Sequence, residues 1–153
     1  MKNIKRIAAF LIAAVIACVC LVSCSGKDDF VGKWELEEMD MNGTTMTGTM
    51  MGIVPLAWVM QVELKSDGTG YRQSVDTGSG EDKRDDFTWE YKDGKAVITS
   101  DGESVEFELS GGMLSAEMEQ NGQKAGMKLK KVDSFTEYDP SKLTGLLGGG
   151  SKD

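Results

Sequence analysis

Residues 87–130 read FTWEYKDGKAVITSDGESVEFELSGGMLSAEMEQNGQKAGMKLK, and this stretch decides the fold. Four turn pairs divide it: Asp93-Gly94, Asp101-Gly102, Gly111-Gly112 and Asn121-Gly122. Such pairs tolerate positive φ and favour tight hairpins. They recur every eight to ten residues, which leaves room for one strand between turns and for no helix. Between them apolar and polar residues alternate, the period of a half-buried strand. Phe87, Trp89 and Tyr91 share a face, with Thr88, Glu90 and Lys92 opposite. Val105, Phe107 and Leu109 alternate with glutamates, as do Leu114, Ala116 and Met118; Ala125, Met127 and Leu129 alternate with lysines. One apolar face per strand means an antiparallel sheet with a wet side.

Upstream the pattern continues. Asp67-Gly68 marks another hairpin, and Trp58, Met60, Val62 and Leu64 share one face with Gln61 and Glu63 opposite. Eight strands are predicted, over about 31–39, 58–65, 69–75, 85–92, 95–99, 103–109, 113–120 and 123–132. Short links between consecutive strands make a meander, and a meander of eight strands loses its exposed edges by closing. The expected fold is therefore all-β, an antiparallel up-and-down meander of about eight strands closed into a barrel. A barrel of that size either fills its interior with side chains or holds one small ligand.

Two stretches break the pattern. Residues 40–57 carry Met41, Met46, Met50 and Met51 among threonines and glycines, and then Pro55, which argues against one continuous strand. They are expected to form a lid or short helix at the barrel mouth. Residues 139–153 open with Asp139-Pro140-Ser141, which suits a helix start, and end in a Gly-rich tail.

The N-terminus has a different design. Lys2, Lys5 and Arg6 precede an unbroken apolar and small-residue run from Ile7 to Val22. A charged start and a short apolar core are the layout of a secretory signal, and the run is short of the ~20 residues that span a membrane. It ends in Leu21-Val22-Ser23-Cys24, which resembles the lipobox of bacterial lipoproteins. The resemblance implies diacylglycerol on the Cys24 thiol and cleavage just before it. Val15-Ile16-Ala17-Cys18 also fits the loose pattern, but Cys24 stands where apolar sequence gives way to Ser25-Gly26-Lys27-Asp28-Asp29. The expected organisation is a cleaved signal over 1–23, a polar tether over 24–29, the barrel domain over 30–138 and the tail over 139–153. All three cysteines lie at or before position 24, so no disulfide remains after cleavage and the domain must rely on its core.

The signal holds three of the 17 basic residues and none of the 25 acidic ones, which leaves the remainder with a net charge near −11. That argues against nucleic acid and against electrostatic binding to anionic lipid. The expected membrane attachment is the lipid alone, with no cofactor besides it, and the expected location is extracytoplasmic. The chain has no histidine, so the commonest general base and metal ligand is missing. No residue pattern marks an enzyme.

Gly32-Lys33-Trp34, opening the first strand, is similar to the Gly-x-Trp signature of lipocalins and lipocalin-like domains. Asp67-Gly68-Thr69-Gly70 and Phe87-Thr88-Trp89-Glu90 also resemble small lipocalin-like domains of bacterial lipoproteins. The resemblance covers about residues 30–132. It implies that Trp34 closes the barrel floor, that Gly32 permits close packing there, and that the barrel binds a small hydrophobic molecule. The family's late Thr-Asp-Tyr type motif has no counterpart. Nor does its arginine on the signature tryptophan, because Arg72 and Arg84 are the only arginines after the signal.

If the barrel is hollow, Trp58, Met60, Phe87, Trp89, Tyr91 and Phe107 are the expected lining. The methionines at 39, 41, 46, 50, 51 and 60 carry soft thioethers that select Cu(I), yet methionine also fills gaps and builds adaptable surfaces; the expectation is no metal. Glu81, Asp82, Asp85 and Asp86 read as a solvated charged loop. Asp28 and Asp29 resemble the acidic stretches that direct some lipoproteins to the outer surface, or serve as a soluble spacer. Two functions remain open: a lipid-anchored barrel that binds a small apolar or amphipathic molecule, and a filled barrel that meets an envelope protein.

Overall fold

The computed structural model describes residues 26–50, 52, 54–76, 81–120, 122–139 and 141. The proposed signal, Cys24 and most of the Gly-rich tail lie outside the described residues. The chain begins with a short helix α1 (Lys27–Phe30) and strand β1 (Gly32–Met41). Then come β2 (Thr44–Thr47), β3 (Thr49–Met50), β4 (Val54–Pro55) and a second short helix, α2 (Leu56–Val59). The ladder follows: β5 (Gln61–Leu64), β6 (Thr69–Val75), β7 (Asp82–Lys92), β8 (Lys95–Ser100), β9 (Glu103–Ser110), β10 (Met113–Gln120) and β11 (Gln123–Val132).

From β5 to β11 each strand pairs with the next, and β1 joins β5 on one edge and β11 on the other. The eight strands thus close into an antiparallel barrel. Its turns follow the sequence chemistry. Asp93 and Asp101 have φ of 51°, each followed by a glycine above 80°; positive φ at both central positions marks the type I′ hairpin, whose twist matches the strands it joins. Asp67 makes the β5–β6 turn by accepting from both the backbone N–H (2.9 Å) and the hydroxyl (2.6 Å) of Thr69. Those two bonds hold its carboxyl below the usual range.

The core runs from Val62, Phe87 and Phe107 to its most buried residues at one end of the barrel. Trp34, Phe30, Leu64, Leu114 and Leu129 are fully buried there, with Trp89 and Ala96 beside them. Trp34 is buried in this floor, and its Nε1 donates to the Phe30 carbonyl at 2.9 Å. A cation does stand on its ring, but it is Lys131, with Nζ 5.3 Å from the ring centroid. Gly32 sits at φ +137°, and a Cβ there would come 2.8 Å from Lys131 Cε. The backbone conformation is what favours glycine here; the Lys131 side chain is flexible and can move aside.

Several expectations need correction. The tether is shorter than 24–29, because Lys27–Phe30 forms α1. Phe30 plugs the floor, and Lys27 Nζ donates to the Ser66 carbonyl at 3.0 Å. Asp28 and Asp29 belong to this helix, and Asp29 accepts from the Gly26 N–H at 2.8 Å. Among the described residues of 40–57, β1 runs on to Met41, Asn42-Gly43 turns the chain at φ 53° and 82°, β2 returns along β1, and the short helix, the other expectation, begins only at Leu56. A bulge between Leu36 and Glu38 is where β1 leaves β5 and takes up β2; the extra residue bends the strand. The strand expected from Trp58 starts at Gln61, because residues 56–59 turn as α2 after Pro55. Asp82, Asp85 and Asp86 lie within β7, so the charged loop is largely strand.

One outward patch is dry. Glu35, Gln61 and Gln73 are direct partners across β1, β5 and β6. Glu35 and Gln61 are buried because residues 133–138 strap across them. Glu35 accepts from the Thr136 backbone N–H, from the Thr136 hydroxyl at 3.1 Å and from Gln61 Nε2 at 3.2 Å. Gln61 Nε2 also donates to the Thr136 carbonyl at 2.9 Å, and Gln73 donates to Gln61.

Candidate functional site

At the end opposite the floor the barrel is not filled. The strand ends there leave a cavity of about 280 Å³, open to solvent. Met60, Val62 and Phe87 form one wall, Ile98, Val105 and Phe107 a second, and Met118 and Met127 a third. Seven of them project inward by the period-2 alternation of their strands, and Met60 stands just before β5 in the same register as Val62. The volume is close to the lower limit of about 300 Å³ for small-molecule pockets. The walls are apolar and the rim is polar. The rim consists of Arg72 from β6, Asp85 from β7, Ser100 and Glu103 from β8 and β9, and Asp101 from the turn between them. Arg72 and Asp85 pair at 2.7 Å.

Of the six residues expected to line a hollow barrel, Met60, Phe87 and Phe107 do so. The other three are elsewhere. Trp89 points inward but belongs to the floor, where its Nε1 donates to the Lys65 carbonyl at 2.9 Å. Tyr91 follows it at the strand end, 37% exposed, with its ring 5.7 Å from Phe30. Trp58 lies outside the barrel on α2, packed edge-on against Tyr138 at 5.2 Å in a satellite cluster with Val54 and Val75. Its Nε1 has no hydrogen-bond partner among the described residues. No described residue of 40–57 lines the mouth. Of the methionines weighed for copper, Met60 alone lines it, Met51 lying outside the described residues. Sequence reasoning placed Met118 and Met127 on the correct strand faces yet did not single them out. Position along the strand, not facing, separates cavity from core.

A larger hollow of about 370 Å³ lies on the outer surface between the strap and strands β5–β7. Several of its polar groups already hold one another, although Trp58 Nε1 does not take part. Gln61 and Gln73 are bound into the Glu35 ladder, Lys83 pairs with Asp76 at 3.0 Å, and Arg84 pairs with Asp86 at 3.4 Å. Arg84 also lies 3.7 Å over the Tyr71 ring. This cleft is the seam of the strap, whereas the mouth presents the partly exposed Met60, Ile98, Val105, Met118 and Met127 to solvent.

The fold and the mouth together define an eight-stranded antiparallel barrel with one packed end and one open, apolar end. No known protein family matches the sequence, and no characterised protein is recognisably similar to it.

Proposed function

We propose that this chain is a lipoprotein held at a bacterial cell surface by a lipid on Cys24, and that its barrel takes a small apolar or amphipathic molecule into the mouth. One observation carries the binding half of this reading. The inward faces of β5 and β7–β11 leave a solvent-open apolar cavity at one end while the other end is packed solid. Exposed apolar area of this shape is costly in water and is relieved by an apolar guest. The anchoring half rests on the sequence Leu21-Val22-Ser23-Cys24 after a charged start and apolar run. The lipocalin-like resemblance of Gly32-Lys33-Trp34 supports the same use of the barrel.

The test is mass spectrometry of the solvent extract of the protein purified from its native host membranes. A stoichiometric small molecule is expected. An extract that stays empty after exposure to host lipids would instead favour a module that meets an envelope protein. For the anchor, Cys24→Ala is expected to abolish labelling by a fatty-acid probe; persistent labelling would remove the assignment.

A further inference from the structure

We propose that the mouth selects an amphiphile with a cationic head: an amine, guanidinium or quaternary ammonium on an apolar body. The inference rests on the ligand-binding reading above and adds a charge specificity to it. The walls themselves choose little. Met60, Met118 and Met127 are flexible and polarizable, and such side chains accept apolar bodies of varied shape. Discrimination falls to the rim.

Arg72 is the only lining cation among the described residues, and it is already matched by its register partner Asp85 at 2.7 Å. Asp101 and Glu103 are different. Both belong to the rim, two residues apart across the start of β9, and neither has a cationic partner among the described residues. An anionic head entering the cavity would meet two unmatched carboxylates, and a cationic head would complete them. Each exposed carboxylate is worth about a 1.5- to 5-fold preference. The excess of 25 acidic over 17 basic residues adds a field of the same sign.

The experiment is calorimetric titration of the full chain in lipid nanodiscs, with empty nanodiscs as the blank. The three probes share one body: phenylbutylamine, phenylbutanol and phenylbutyrate. The amine is expected to bind tighter than the carboxylate by about 2- to 25-fold, and the gap is expected to shrink at high salt. The double variant Asp101→Asn, Glu103→Gln should narrow the gap to what the overall charge leaves, and leave the alcohol unchanged. Asparagine tolerates the φ of 51° at position 101, so the turn survives the change. Equal binding of all three probes, or preference for the carboxylate, would overturn the charge specificity while leaving the ligand site standing. A gap of undiminished size in the double variant would overturn the role of these two residues. Failure of all three to bind would overturn the ligand reading and this inference with it.

Discussion

Arg72 and Asp85 face each other directly across β6 and β7, and their charges meet at 2.7 Å on the rim of an apolar cavity. Both side chains are about half exposed, so the pair adds little to stability. Its effect is on the character of the mouth, because it silences a guanidinium that would otherwise welcome anions. Asp85→Asn is therefore expected to raise the affinity for phenylbutyrate by about 2- to 5-fold with little change in thermal midpoint. Calorimetry would show it; an unchanged or weaker carboxylate affinity would mean that Arg72 does not reach the guest.

Gly70 is a place where two strands touch. A Cβ there would lie 2.3 Å from the Glu63 carbonyl oxygen and 2.5 Å from Phe87 Cε2. Neither the β5 backbone nor a ring wedged at the top of the core can give way freely. Gly70→Ala is expected to destabilise the barrel by about 2–3 kcal/mol, measured by urea denaturation. A loss below ~0.5 kcal/mol would show that the β5–β6 pair can part without cost.

Glu35 is the anchor of the strap. Glu35→Ala leaves the Thr136 N–H and one Gln61 donor without their acceptor, at a cost of about 2–3 kcal/mol. The loss should be local as well as global. Backbone amides of residues 133–138 should exchange faster than those of β8 and β9, and the Trp58–Tyr138 contact should loosen. Uniform acceleration across the chain would refute a strap that detaches by itself.

The phenol of Tyr71 is held above its ordinary value by burial first, then by its hydrogen bond to Glu63, while Arg84 opposes both. A group whose folded pKa is raised keeps its stabilising contribution below the unfolded value, near 10, and loses it as pH rises through the folded one. Stability should thus fall above about pH 10, and Glu63→Gln should move the Tyr71 transition downward. Phenolate absorbance, with Tyr71→Phe to identify the residue, measures this. An unmoved transition in Glu63→Gln would remove Glu63 as a cause.

The barrel was legible because its information is local. Asp93-Gly94 and Asp101-Gly102 carry their turn type in two residues, and the alternation of Val105, Phe107 and Leu109 assigns faces without knowledge of any partner. Asn42-Gly43 has the chemistry of a hairpin turn, but the Met- and Thr-rich residues around it do not alternate, so no strand pattern flanks the turn. Pro55 suits a helix start, yet Trp58 also fits the period-2 register of Met60 and Val62, so the sequence pattern alone extends the strand to it. The burial of Gln61 could not be read at all. It depends on Thr136, 75 residues away, and no spacing rule links them. The same holds for Lys131 on Trp34, and for the division of the inward residues into floor and mouth. That division depends on how far each strand extends past its neighbours.

The position of α1 sets a direction. Gly26 enters the described structure beside the packed floor, where Lys27 binds the β5–β6 turn and Phe30 plugs the barrel. Only two peptide links separate it from Cys24, a reach of about 7 Å. On the proposed anchoring, the bilayer then lies against the floor like a base plate, and the opening looks outward. Such a vessel cannot sip from the membrane that carries it. Its guest would have to arrive through the surrounding medium, or from a facing surface.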